Sequence, residues 1–164
     1  MGKLKAFEIV FENNKNVYFP GDNVAGKCVL ELRGGEFKLN QIKILMRGVA
    51  KVHWTEPRST GNRLGSYNEH FSAEIEYFLL KKVLHGDTEC GENGELVLDA
   101  GCHEFPFSFQ LPSSGLPTSF EGKHGSIRYW IKAEVEKRWA FNDKTKKAFT
   151  VISKIDINRS EYLV

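Results

Sequence analysis

The chain is poor in cysteine, with only Cys28, Cys90 and Cys102 among 164 residues. An odd, low count does not build the disulfide framework of a small secreted domain. Long apolar runs are missing too: nothing reaches the roughly 18 residues a membrane-spanning helix needs. The start, Met1-Gly2-Lys3-Leu4-Lys5, has no apolar leader, and Ala6 stands where a myristoylation motif wants Ser or Thr. These absences give the expectation of a cytosolic protein, in which the sequon Asn158-Arg159-Ser160 goes unused. Charge of one sign is also lacking. A formal net charge of +2 argues against a dedicated nucleic-acid binder, which needs a basic excess to neutralise phosphates. There is no glycine-rich phosphate loop, G-x-S-x-G elbow, H-E-x-x-H or C-x-x-C pair, so the sequence is read as that of a non-enzyme without metal or cofactor.

What the chain does have is a period of two. Phe7, Ile9 and Phe11 alternate with Glu8 and Glu12, and Val24, Cys28, Leu30 and Leu32 share a face with Gly26 between them. Ile42, Ile44, Met46, Gly48, Ala50, Val52 and Trp54 form one side of a long strand whose other side carries Lys43, Arg47, Lys51 and His53. Phe71, Ala73, Ile75, Tyr77 and Leu79 repeat the pattern. So do Phe105, Phe107, Phe109 and Leu111, then Ile127, Tyr129, Ile131, Ala133 and Val135, and finally Phe149, Val151, Ile155 and Ile157. Alternation of this kind buries one face of each strand and wets the other. Turn formers separate the runs, notably Pro20-Gly21-Asp22, Gly34-Gly35 and Ser113-Ser114-Gly115. No amphipathic helix intervenes. The expected fold is all-β, an antiparallel two-sheet immunoglobulin-like sandwich. Residues 55–68 and 84–101 read as two long polar connections, the usual places for recognition.

Four features invite a chemical reading. His85, Cys90, Cys102 and His103 are residue types that suit zinc, but adjacent strand residues point to opposite faces, which favours a plain hairpin flank. Glu74 and Glu76 lie two apart, as on a solvated strand face. Lys3 and Lys5 are expected on the face of Phe7, Ile9 and Phe11, where the apolar stripe gives way to two cations. They either snorkel to water or meet an acidic or phosphorylated segment. Arg58 and Arg63, beside Trp54 and Tyr67, are either solvated or interface anchors.

Several segments together resemble the amino-terminal domain of the arrestin superfamily, and most of all that of the α-arrestins. These are Val17-Tyr18 with Pro20-Gly21-Asp22, Val24-Ala25-Gly26-Lys27, residues 47–54 (RGVAKVHW), residues 105–112 (FPFSFQLP), residues 117–130 (PTSFEGKHGSIRYW) with Ile131-Lys132-Ala133-Glu134-Val135, and Asp156-Ile157-Asn158. The resemblance implies one domain over residues 1–158, with 159–164 leading toward a second arrestin domain. It implies an adaptor that binds cytoplasmic tails or loops of membrane receptors and transporters, at the plasma membrane and endosomes. Family members link such cargo to HECT-type ubiquitin ligases, and so to endocytosis and endosomal sorting. Lys3 and Lys5 fall where arrestins carry phosphate-meeting lysines, and residues 55–68 fall where they carry the finger loop. Two departures stand out. The lysines are not adjacent, and none of the five prolines neighbours another, so the Pro-Pro-x-Tyr ligase motif is missing. Rival readings are a retromer-type coat subunit and a carbohydrate-binding sandwich.

Overall fold

The computed structural model describes residues 2–61, 65–86 and 94–163. Eleven strands succeed one another: β1 Lys3–Phe11, β2 Val17–Tyr18, β3 Asn23–Arg33, β4 Phe37–Leu39, β5 Gln41–Ser59, β6 Ser66–His85, β7 Leu96–Leu98, β8 Gly101–Gln110, β9 Phe120–Glu121, β10 Gly125–Glu136 and β11 Asp143–Val151. They form a three-stranded sheet, β1-β3-β8, and a larger one, β2-β11-β10-β5-β6, with β9 on the flank of β10 and the short pair β4-β7 beside them. All pairings are antiparallel except that of β2 with β11. This is the expected sandwich.

Its core is the set of inward positions that the alternation marks. Val24, Cys28, Ile44, Met46, Phe109, Tyr129, Ile131 and Ala133 are all at most 1% exposed. Phe11, Tyr18 and Phe149 meet edge to face, with centroids 5.5 to 6.1 Å apart, a favoured aromatic arrangement. Two glycines allow close approach. A Cβ on Gly26 would stand 2.2 Å from the Val10 carbonyl oxygen, and one on Gly48 would stand 2.7 Å from the Tyr129 ring. A second cluster (Leu30, Leu32, Phe37, Leu39, Ile42, Leu98, Val135) fills one end of the sandwich, roofed by β4 and β7.

The two seams between the sheets are each closed by a lysine. Lys147 on β11 donates from Nζ to the Ile9 carbonyl at 3.2 Å and lies 5.1 Å over the Phe11 ring. On the other side Lys82 of β6 donates to the Ser108 carbonyl and lies 4.8 Å over Phe109.

Four expectations need correction. Residues 55–59 and 66–68 are strand and not loop: β5 runs to Ser59 and β6 starts at Ser66, in register from Trp54↔Phe71 to Ser59↔Ser66. Both faces of this stretch meet water, so one-sided alternation disappears although the strand continues. The connection 84–101 likewise contains strand: β6 ends at His85 and β7 crosses residues 96–98. A bulge at Tyr77 then reverses parity in β6. Gly48 pairs with Phe78 while Val49 pairs with Glu76, so Phe78 faces the core and Leu79 lies on the outer side, opposite Arg47. Finally, β11 stops at Val151. Ile155 and Ile157 lie beyond it, both over 70% exposed and outside any strand among the described residues.

Candidate functional site

The basic end of β1 differs from expectation in its direction. Leu4 pairs with Leu32, and the next pairing is Ala6 with Glu31, so Lys5 is a bulged extra residue. One added residue moves every side chain N-terminal to it onto the other face. Leu4 and Phe7 therefore both pack on the second core cluster, and Lys3 and Lys5 stand on the outer face. There Lys3 pairs across from Arg33. Lys5 Nζ donates to Glu31 at 2.8 Å, and Arg33 lies 3.6 Å from the same carboxylate. The hydrogen bond from Lys5, aided by the charge of Arg33, holds the Glu31 carboxyl below its ordinary pKa.

At the opposite end, β5 and β6 leave the sandwich as a two-stranded ribbon. Trp54 and Phe71 face each other across it, centroids 5.2 Å apart and rings inclined by 14°. His53 and His70 lie 5.7 Å apart. Arg58, opposite Tyr67, bonds Glu69 at 2.7 Å and Glu56 at 3.2 Å, so its charge is already shared. Arg63 lies outside the described residues. Lys3 and Lys5 thus come together with each other and with Arg33, while Arg58 belongs to a separate surface at the other end of the molecule.

The remaining chemical candidates are scattered. His85 packs on Phe105, the His103 ring bonds the Asp99 carbonyl at 2.7 Å, and Cys102 lies opposite Glu31 on the exposed face of β8. Cys90 is outside the described residues. Among the described residues no group of three His, Cys, Asp or Glu side chains converges as a metal site. Glu74 and Glu76 are both held by Arg47, at 2.5 and 2.7 Å. Cys28 is fully buried, and burial pushes its thiol up to about 12. Sequence reasoning missed Arg33 and the Trp54–Phe71 pair. The second was detectable as two aromatics at mirrored positions of a hairpin.

The segment richest in the resemblance is also a structural knot. Tyr129 donates from its hydroxyl to the Pro117 carbonyl at 2.5 Å, and the Ser119 hydroxyl accepts the Val151 N–H at 2.9 Å. Arg128 grips Glu121 with two bonds, at 2.6 and 2.9 Å.

A sandwich of this topology, with that knot and a long exposed ribbon, places the chain in the arrestin class, and the family model for the arrestin (or S-antigen) N-terminal domain matches residues 7–158. The chain belongs to that family. Among its relatives are arrestin domain-containing protein 17 of Caenorhabditis elegans, 39% identical over 96% of this chain, and arrestin domain-containing protein 4 of Mus musculus, 35% identical over 96%. Thioredoxin-interacting protein of Homo sapiens is 32% identical over 98%. The chain spans 36–39% of the length of these relatives. In fold it is similar to the sporulation control protein Spo0M of Bacillus subtilis, with a TM-score of 0.54 at 14% identity over 92% of this chain and 49% of that one. The family supports a general role in protein interaction, as scaffold or adaptor. Among the described residues no helix is long and apolar enough to cross a membrane.

Proposed function

We propose that this domain is a cargo-reading adaptor module, binding cytoplasmic segments of membrane receptors or transporters through the β5–β6 ribbon and the basic end of β1. In the longer protein of which such domains form part, the bound cargo is passed to HECT-type ubiquitin ligases and enters endocytosis and endosomal sorting, at the plasma membrane and endosomes.

The observation that carries this reading is the ribbon. Among the described residues the ribbon beyond Val52 pairs only within itself, β5 with β6, apart from the His53 N–H that bonds the His124 carbonyl, yet it holds a stacked Trp–Phe pair and an arginine with a tyrosine beside it. Such residue types are the common anchors of protein interfaces. Lys3, Lys5 and Arg33 add a cationic rim that steers acidic or phosphorylated segments and responds to salt.

The test is a titration of the chain with receptor-tail peptides, phosphorylated and unmodified, at low and high salt. Replacing residues 53–72 by an Asn-Gly turn is expected to weaken binding by at least about ten-fold. Lys3→Ala/Lys5→Ala is expected to weaken only the phosphorylated form and to flatten its salt dependence. Binding that ignores the ribbon replacement overturns the reading.

A further inference from the structure

The end of the sandwich away from the ribbon carries a feature that neither the core nor the adaptor reading uses. Between β10 and β11 the chain turns through Lys137-Arg138-Trp139-Ala140-Phe141-Asn142. Trp139 is 88% exposed and Phe141 97%, the two most exposed large apolar side chains among the described residues. Turns favour small or polar residues such as Gly, Asn or Asp, and two aromatics that bury nothing add no stability to this one. Nor is the exposure a product of laxity at the base. The Lys137 N–H donates to Asn142 Oδ1 at 3.1 Å, Asn142 Nδ2 donates to Glu134 at 2.6 Å, and Lys137 Nζ lies 2.5 Å from Asp143. The aromatics are held out from a fastened base.

Cations continue from this tip along the outer face of the hairpin. Arg138 lies 5.4 Å over the Trp139 ring. Lys144 and Lys146 are successive outward residues of β11, and Lys132 stands directly opposite Lys146. Like charges facing each other across a sheet destabilise it. Among the described residues no carboxylate lies within ion-pair distance of Lys132, Lys144 or Lys146; of the two acids that β10 presents on that face, Glu134 stands across from Lys144 but accepts from Asn142, and Glu136 is bonded to Lys43. Lys146 is pressed 3.9 Å over the buried Trp130 ring; burial, together with Lys51, Arg128, Lys132 and Arg47, holds it below its ordinary pKa. The face is short of negative charge.

A convex aromatic tip followed by a stripe of unneutralised lysines matches a bilayer interface. Trp and Phe settle at the headgroup–acyl boundary, and lysines near an anionic leaflet are each attracted to it. We propose that the β10–β11 hairpin docks on an anionic membrane surface, with Trp139 and Phe141 entering the interfacial layer and Arg138, Lys132, Lys144 and Lys146 meeting lipid phosphates. This does not rest on the adaptor reading, whose ribbon projects from the opposite end and whose cationic rim, Lys3, Lys5 and Arg33, lies on the other sheet.

The test is co-sedimentation of the chain with vesicles of equal parts phosphatidylserine and phosphatidylcholine, against vesicles of phosphatidylcholine alone. Binding is expected to the mixed vesicles only. Trp139→Ala/Phe141→Ala is expected to weaken it by about ten-fold or more and to remove a blue shift in tryptophan emission. Lys132→Ala/Lys144→Ala/Lys146→Ala is expected to weaken it by about a hundred-fold at low salt, as three cations each lose an attraction of roughly five-fold. Trp139 and Phe141 are almost fully exposed, so their double variant is expected to keep the parent's thermal melt, and a far-UV circular dichroism spectrum matching the parent's is the check that the lysine variant, which alters half-buried Lys132, is folded. Failure to bind mixed vesicles overturns the proposal, and so does binding indifferent to the aromatic pair. Capture of a phosphoserine peptide through the same residues, without vesicle binding, overturns it in favour of a protein ligand.

Discussion

The apolar two-residue period of β5 runs from Ile42 to Trp54 and crosses two opposite surroundings before it fades. Over residues 41–50 the strand lies between β10 and β6, and its inward residues Ile42, Ile44 and Met46 are buried to 1% or less. Over residues 51–59 it keeps β6 as partner but leaves β10 behind at the Gly125↔Val52 pair, and every residue is exposed. Val52 and Trp54 continue the face of Met46 and bury little. Alternation therefore marks where a strand is. Whether that strand is core depends on a second layer opposite it, and β1, β3 and β8 end before the ribbon begins. In the body, side chains are fixed by many neighbours; in the ribbon, by one cross-strand partner.

This contrast can be put under load. The largest effect belongs to the body. Tyr129→Ala removes a ring packed on Phe78 and Phe149 together with the bond to Pro117, and is expected to cost about 3–5 kcal/mol in a urea titration. A loss below about 1 kcal/mol would mean the two layers are not tightly joined there.

Alkali acts next, again on the body. Cys28 is raised by burial from its ordinary value of 9.0 to about 12. Tyr129 is raised by burial and by Tyr77, and Tyr18 by burial, then Glu12 and Asp22. Each raised pKa means that the unfolded chain releases its proton first. The stability these groups contribute is whole below about pH 9 and falls as pH climbs toward about 12. The urea midpoint is expected to drop steadily over that window, and less steeply in Cys28→Ala. A level midpoint would contradict the burial of all three.

The smallest effect belongs to the ribbon. Trp54→Ala loses one stacked pair and is expected to cost at most about 1.5 kcal/mol in the same titration. A cost rivalling that of Tyr129→Ala would erase the distinction between the halves.

Much of this was readable in advance, and the failures have definite causes. The inward sets of β3, β5, β8 and β10 came directly from alternation, because the opposite face of each is mostly wet; Val49 and Trp130, buried on the outer side of β5 and β10, depart from it. The bulges at Lys5 and Tyr77 were not readable: the extra residue in each is ordinary, and only the partner strand reveals it. Hence Lys3 and Lys5 were placed on the core face, and Leu79 beside Tyr77. The ribbon looked like a loop because both its faces are wet. Strands β4 and β7, three residues each, are too short to show a period. Of the candidate site, Lys3, Lys5, Arg58 and Arg63 are named from sequence, and Arg33 is not, because only the pairing of β1 with β3 brings it beside Lys3. The division of Lys3 and Lys5 from Arg58 between two ends of the molecule, and the ion pairs that already occupy Lys5 and Arg58, needed the fold.

The seams closed by Lys82 and Lys147 have a mechanical consequence. A barrel seals its sheet with a ladder of backbone bonds, which fixes how far one strand can slide along the next. Here each opening is bridged by a flexible ammonium stem that can follow its acceptor. The two layers are thus latched by side chains and not by a shared ladder, so their relative register rests on the packing of the core between them.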